Sequence, residues 1–321
     1  MIKASEKQKL LYWYESNYRN FPWRKTRDPY RIWISEIMLQ QTTSTAVIPY
    51  YERFLNRFPN LDSLTKAPLE DVLEHWAGLG YYSRARNIHK AAQVLLNVTF
   101  PKSWEELIKY PGFGPYTARA VTSFAFNENV GVVDGNVIRF LSRYHGLDLE
   151  WWKPKGRNTI QNQADSWVEN ESAQIMNQAL IEMGSTICIP KSPKCVICPV
   201  MKTCTSLADG KAETRPGSKP KKDSEIWIWN PQIQEKKQYW GLVENDYAPF
   251  LGGQWIWPGS VRKSKRPPSN FDFQHSITHH KIYVILSGKK TDTKNRIKWI
   301  KKDELKKHAP SSLVSKVLQH Y

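Results

Sequence analysis

Long apolar runs are missing from this 321-residue chain, so no segment reads as a membrane span. The N-terminal stretch MIKASEKQKLLYWY lacks an uninterrupted hydrophobic core, which argues against a secretory signal. Acids are scarce: 30 Asp and Glu stand against 47 Lys and Arg, for a net charge of +17 and a pI near 9.6. Solubility alone needs a net charge of only about 2–8 in magnitude. The excess points to a polyanionic partner, and the lack of a basic amphipathic segment favours nucleic acid over an anionic membrane. No internal repeat is present. Cysteine is missing everywhere except one stretch of seventeen positions, which excludes a disulfide framework spread through the chain. With no export signal, the expected setting is reducing, intracellular and cytoplasmic.

What that stretch contains is Cys188, Cys195, Cys198 and Cys204, spaced C-x6-C-x2-C-x5-C. A metal centre gathers thiols because every thiolate must reach it at about 2.3 Å. Zinc sites of four cysteines usually use two close pairs, and only one such pair occurs here. The uneven arms suit a larger cubane iron–sulfur cluster better, with zinc the rival. Pro190, Pro193 and Pro199 make the segment a stiff irregular loop.

Hydrophobic residues make up 40% of the chain and Trp occurs 14 times, enough for a sizeable core. Residues 1–187 read as helices joined by short turns. Asp28-Pro29 is a helix start, and Tyr30, Ile34, Ile37, Met38 and Gln41 follow at helical spacing. Ala67-Pro68 opens another helix, ended by Gly78 and Gly80. Further helices are expected at 84–97, 103–109, 116–126, 136–145, 158–169 and 173–184. Residues 211–222 (KAETRPGSKPKK) hold five basic residues, two Pro and one Gly, the composition of a linker. After residue 225 short β-like runs appear at 225–229, 238–243, 254–257 and 281–286, and a last helix is expected at 302–319. The domains are therefore 1–210, a basic linker 211–224, and a small α+β domain 225–321.

Three features carry chemistry. In SWEELIKYPGFGPYTARAVTSFAF, two helices flank Pro111-Gly112-Phe113-Gly114. Gly112 and Gly114 allow a sharp turn, and the next helix begins with free amides that suit a phosphate. Glu36 lies beside the apolar stripe of RIWISEIMLQQ, where partial desolvation favours a protonated carboxyl, the form of a general acid. Asp134, in VGVVDGNVIRFL, supplies a second carboxylate. Cleavage of an N-glycosidic bond needs both a proton for the departing base and negative charge beside the sugar. Each residue also has a plainer local reading: Asp134 as an N-cap, Glu36 on a solvated helix face, and the hairpin as a tight turn.

The motifs SEIMLQQT, GLGYYSRARNIHKAA, PGFGPYTA, VVDGNVIRFLSR, NQALIEMG and the cysteine loop occur in this order. Together they resemble the adenine DNA glycosylases of the MutY family, within the helix-hairpin-helix glycosylase superfamily, densely over 20–205 and more loosely beyond. The resemblance implies a mainly α fold: a six-helix barrel domain beside a cluster domain, followed by a small Nudix-like α+β domain. It implies a 4Fe–4S cluster on Cys188, Cys195, Cys198 and Cys204. It implies that a monomer removes adenine paired with 8-oxoguanine or guanine from double-stranded DNA. Glu36 matches the acid, Asp134 the carboxylate that stabilises the sugar cation, and Tyr116 a position some members fill with a catalytic tyrosine. Trp23, Arg24 and Gln178 match the adenine pocket. Gln41 and Tyr81 match residues that wedge into the base stack, as a flipped-out base requires. Related bifunctional enzymes place a lysine where Tyr116 stands. Tyrosine forms no Schiff base, so a monofunctional enzyme leaving an abasic site is expected.

The last domain departs from the family pattern. Ile277-Thr278-His279 stands where the family has Phe-Ser-His touching 8-oxoguanine: Thr278 keeps the hydroxyl, while Ile277 loses the ring. His275, His279 and His280 read as a polar strand edge. Only 15 residues separate Gly259 from His275, too few for the helix expected there, and no acid-rich Nudix catalytic box is present. Residues 289–307 carry nine basic residues against three acids, a face that suits DNA or plain solvation. Two rival readings are an oxidised-pyrimidine glycosylase with lyase activity, opposed by Tyr116, and a non-catalytic cluster-bearing DNA-binding protein, opposed by Glu36 and Asp134.

Overall fold

The computed structural model describes residues 2–220, 223–286 and 297–321. It divides into two compact units, Met1–Lys219 and Pro220–Tyr321. The first unit is built from helices α1 (Ala4–Asn17), α2 (Pro29–Met38), α3 (Ser44–Arg57), α4 (Leu61–Lys66), α5 (Leu69–Trp76), α6 (Ser83–Leu95), α7 (Trp104–Leu107), α8 (Pro115–Phe126), α9 (Gly135–Tyr144), α10 (Pro154–Val168), α11 (Ala173–Thr186) and α12 (Thr205–Ala208). Among its described residues there is no strand, as the sequence pattern led one to expect.

Two hydrophobic cores fill this unit. Side chains from α2 to α8 form the first, centred on Trp33, Phe54, Phe58 and Trp76. The second joins Leu10 and Tyr14 of α1 to Phe140, Trp167, Met176 and Leu180 of α9, α10 and α11. Ile181 packs against both. α2 begins where expected: Asp28 accepts a hydrogen bond from the Tyr30 N–H at 2.9 Å, and Pro29 occupies the first turn. From Ile32 to Met38 every residue of α2 is buried, because α8 covers one side and α3 another.

The hairpin between α7 and α8 turns at Gly112, whose φ is +81°. A Cβ there would meet Asn87 Cβ of α6 at 3.0 Å, so the position requires glycine twice over. Gly184 of α11 lies still closer to its neighbour. A Cβ at this residue would stand 2.5 Å from the Asn136 carbonyl oxygen, so α11 and the first turn of α9 meet backbone to backbone.

The linker expected at 211–224 starts later than its composition implied. Arg215 is 5% exposed; it donates to Asp148 and Asp209 at 2.8 Å each, and its carbonyl accepts from Arg143 Nε at 2.7 Å. Trp151 Nε1 donates to the Gly217 carbonyl at 3.0 Å. A cation with two carboxylate partners folds the chain back, so the boundary falls at Lys219.

The second unit is α+β. Its strands are β1 (Glu225–Pro231), β2 (Gln234–Lys236), β3 (Tyr239–Glu244), β4 (Trp255–Ile256), β5 (Gly259–Ser264), β6 (Phe273–Ile277), β7 (His280–Val284) and β8 (Lys298–Lys301). One sheet runs β5-β1-β7-β6, with β1 and β7 parallel and the other pairs antiparallel. The other runs β2-β3-β4, and β8 pairs with β3. Trp229, Trp257, Ile282 and Val314 sit at its core. No helix lies between β5 and β6, in keeping with the short connection. Strands β2, β5, β6 and β8 are additions to the sequence reading. The helix expected at 302–319 is broken into a short turn at Lys302–Glu304, α13 (Leu305–His308) and α14 (Ser312–His320). Pro310 removes a backbone donor, and Ser311 caps α14 by accepting from the Leu313 N–H at 3.3 Å. Of the basic run 289–307, residues 289–296 lie outside the described residues.

A glycine inside a helix normally gains stability on replacement by alanine. At Gly184 the sign should reverse: Gly184→Ala forces α11 off α9, and a loss of about 1–3 kcal/mol is expected in urea unfolding of the whole protein.

Candidate active site

A cleft of about 810 Å³ opens between the two cores of the first unit. Trp23, Arg24, Glu36, Gln41, Tyr116, Asp134 and Gln178 all line it. Seven residues from five stretches of the chain between positions 23 and 178 thus meet in one place, and both carboxyl groups face the same space.

Glu36 is 4% exposed. Tyr116, on the first turn of α8, donates its hydroxyl to Glu36 Oε2 at 2.8 Å. Burial pushes the Glu36 carboxyl up to about 7; the Tyr116 bond works against this, and the nearby Asp134 charge adds to it. Burial also raises the Tyr116 phenol well above its usual range, so it stays a donor. Asp134 caps α9, accepting from the Val137 N–H at 2.8 Å and from Asn136 Nδ2 at 2.7 Å. Burial lifts its pKa above the usual aspartate value, while these donors and Arg139 pull it down. The cap and the candidate carboxylate are the same group: its donors fix its direction. Asn136 is fixed in turn by Arg139, which donates to Asn136 Oδ1 at 2.9 Å and to the Cys188 carbonyl at 2.6 Å.

The pocket wall is closely packed and hydrogen-bonded. Trp23 stacks on Phe21 with ring centroids 5.0 Å apart and meets Tyr51 edge-on. Arg24 donates to Glu182 at 2.7 Å, and Arg19 to the same carboxylate at 2.6 Å. Glu182 has no exposed surface; burial alone would raise its pKa, but the two guanidinium groups hold it below the usual glutamate value. Gln178 takes the Tyr14 hydroxyl on Oε1 at 2.6 Å, which leaves its amide NH₂ to meet a ligand. Burial pushes Tyr14 up to about 12, so this donor also persists.

Sequence reasoning missed Arg19, Glu182, Tyr14, Asn136 and Arg139. Glu182 carried a usable signal, an acid within the apolar run ALIEM, the same signal that exposed Glu36. Asn177 was also missed: wholly buried, it accepts from the Val132 N–H and donates to Ser123 and the Val130 carbonyl, tying down the strand of chain that leads to Asp134.

Gln41, at the cleft, has φ +60°; the remaining expected residues fall elsewhere. Tyr81 is half exposed and lies outside the cleft lining, with φ +49°. Gly112 and Gly114 form the hairpin turn before α8. Thr278 and His279 sit in the turn between β6 and β7, in the second unit. There Thr278, at φ +55°, donates to its neighbour's Ile277 carbonyl at 2.7 Å.

All four cysteines line one small apolar pocket with Phe140, Ile187 and Val200. Arg143 approaches Cys188 Sγ at 3.5 Å and donates to the carbonyls of Ile189 and Pro190. Four convergent thiols, an apolar wall and a cation beside one sulfur fit a multi-thiolate metal centre. A second group, Glu225, His279 and His280, has ligand atoms within 4.8 Å of one another. Its carboxylate already pairs with Lys263 and accepts from Trp227 Nε1, so it behaves as an ion-paired strand edge.

This cleft and fold define a helix-hairpin-helix DNA glycosylase. The family model of the HhH-GPD superfamily base excision DNA repair proteins matches residues 34–169. A solved thermostable thymine-DNA glycosylase superposes with a TM-score of 0.59 at 28% identity, covering 64% of this chain and 98% of that one. Endonuclease III, in a trapped covalent DNA intermediate, gives 0.55 at 23% identity over 65% of this chain and 99% of its own, a likeness of fold. An adenine DNA glycosylase from Buchnera aphidicola subsp. Baizongia pistaciae is 41% identical over 303 residues, 86% of this chain and 84% of the relative. The chain belongs to the adenine DNA glycosylase family and is an enzyme of base excision repair. Among the described residues, no helix is long and apolar enough to cross a membrane.

Removing a partner from a buried ion pair strands the remaining charges. Glu182→Ala should therefore cost about 3–5 kcal/mol at neutral pH. Because the folded pKa of Glu182 is depressed, its contribution is present above the ordinary glutamate pKa and fades as pH falls through the folded one. Urea melts of wild type and variant should converge in acid; a gap independent of pH would remove the ionised pair from the account.

Proposed function

We propose that this protein is a monofunctional glycosylase that hydrolyses the N-glycosidic bond of adenine opposite 8-oxoguanine or guanine in duplex DNA. The observation that carries this reading is a carboxyl near neutral pKa, bonded to a phenol, in the same cleft as a second, donor-fixed carboxyl. An everted adenine enters the cleft. The Trp23 wall, the Arg24 guanidinium and the Gln178 amide hold its plane and polar edge. Protonated Glu36 gives its proton to the purine. The bond from C1′ to N9 breaks, the electron pair leaves with adenine, and the sugar becomes oxocarbenium-like. Asp134 stabilises that cation. A water oxygen then bonds to C1′ and its proton returns to the ionised Glu36, which closes the cycle.

Tyr116 offers a phenol where strand nicking needs an amine, and Ile138 stands at the place where some family members carry a lysine that can trap the sugar, so no amine is offered there either. The amides at the start of α8, opened by Gly112 and Gly114, suit a DNA phosphate. Gln41 and Tyr81 fill the gap in the base stack. Cys188, Cys195, Cys198 and Cys204 would hold a 4Fe–4S cluster, which would anchor the loop that carries Lys191, Lys194 and Lys202. In the second unit, the Thr278 hydroxyl is the candidate donor to 8-oxoguanine.

Three measurements check this. Glu36→Gln should lower single-turnover excision by about 10²–10⁴-fold while duplex binding persists; wild-type turnover would remove Glu36 from the mechanism. The donor form of Glu36 is populated below its pKa of about 7, so the wild-type rate should fall as pH rises through that value; in the same assay, strand breakage should appear only after alkali, and spontaneous nicking would favour a lyase. Thr278→Ala should narrow the preference for 8-oxoguanine over guanine, and an unchanged ratio would show that another residue reads that base.

A further inference from the structure

Arg84 is a buried cation whose partners are not acids. It is 9% exposed, on α6, and it does not line the cleft. One terminal nitrogen, Nη1, donates to the carbonyls of Ile37 at 2.7 Å, Met38 at 3.3 Å and Gln40 at 2.7 Å. The other, Nη2, donates to the carbonyls of Leu79 at 3.1 Å and Gly80 at 3.2 Å. The first set belongs to the end of α2 and the turn that carries Gln41. The second belongs to the turn that carries Tyr81. The guanidinium also lies over the Trp76 ring at 5.3 Å and the Tyr81 ring at 5.6 Å.

Both turns need such support. Gln41 and Tyr81 adopt left-handed backbone conformations, which for residues with a side chain cost about 1 kcal/mol or more and persist only when neighbours enforce them. The last carbonyls of a helix lack intrahelical donors; here Gly80 also accepts from Trp76 Nε1 at 3.1 Å and Ile37 from the Gln40 N–H at 3.4 Å, while Arg84 is the donor common to both turns. A planar fork with two NH₂ groups satisfies both sets at once, and lysine, a single point of donation, does not.

We infer that Arg84 is a positioning residue: it clamps the Gln41 turn to the Tyr81 turn, so that the two side chains act on the base stack as one preset wedge. This rests on the reading of Gln41 and Tyr81 as stack-filling residues. Arg84 itself touches no substrate. Its effect is on eversion of the base, not on bond cleavage.

The test uses the full chain with Arg84→Lys, Tyr81→Ala, Gln41→Ala and the Arg84→Lys/Tyr81→Ala double variant. Eversion is read from 2-aminopurine fluorescence in a duplex with 8-oxoguanine opposite the probe, and cleavage from single-turnover adenine release. Arg84→Lys should lower both the fluorescence rise and the rate on paired adenine by roughly ten- to a hundredfold. Release from a substrate whose adenine is already unpaired should stay close to that of wild type. The double variant should lose little beyond Tyr81→Ala. Equal losses on paired and unpaired adenine, or an additive double variant, overturn the clamp. Should Tyr81→Ala and Gln41→Ala evert and cleave as wild type does, the wedge reading itself fails; should they be impaired while Arg84→Lys is not, the clamp alone fails. If Arg84→Lys does not fold, native-state amide exchange on the wild type carries the test. Amides at 40–42 and 79–81 should open with one common free energy, and two distinct values overturn the proposal.

Discussion

Keeping water away from one carboxyl is the constraint around which the first unit is arranged. An ionised carboxylate without a paired charge is costly to bury, so Glu36 keeps its proton to near neutrality. That state survives only while the surroundings stay dry. Burial of α2 from Ile32 to Met38 supplies the dryness, and the stacking of Trp33 on Phe113 closes the side toward the hairpin. Packing of the first core is thus a condition of the chemistry, because a loosened core would hydrate Glu36 and return it to an ordinary acid.

Glu182 shows the opposite solution to the same problem. It is as deeply buried as Glu36, yet two arginines hold it ionised. Two buried glutamates, one lining the cleft and one behind its Arg19 and Arg24 wall, are kept in different protonation states by their neighbours. Asp134 lies between these cases, raised by burial and drawn back by the donors at the start of α9. Those donors are part of a continuous set of contacts, Asp134 to Asn136 to Arg139 to the Cys188 carbonyl, so the thiol loop and the cleft share one framework.

Much of this was legible in the sequence, for physical reasons that differ by residue. Glu36 stood out because a charge in an apolar helix demands an explanation, and the four cysteines because one centre requires clustering. The helix starts at Asp28-Pro29 and after Gly114 were legible because capping is local. Arg19 and Tyr14 were not, since each acts on a partner more than 160 residues away, and nothing local marks an arginine or tyrosine for such a contact. The packed segment around Arg215 was hidden by composition: KAETRPGSKPKK looks solvated, and contacts from distant residues, Asp148, Arg143 and Trp151 among them, make it otherwise. In the second unit, β2, β5 and β8 escaped notice because their polar residues carry no alternation, and of β6 only the polar edge at His275 was read; pairing with neighbours imposes the extended form. The final helix was overextended because apolar spacing continued across Pro310.

The bond from Tyr116 to Glu36 has a stereochemical corollary. With Oε2 occupied as an acceptor by a phenol that does not ionise, the two oxygens of the carboxyl are inequivalent. The acceptor role at Oε2 favours Oε1 as the seat of the acidic hydrogen, so in the proposed reaction proton delivery would have one preferred direction, along which a nitrogen heterocycle would present its lone pair.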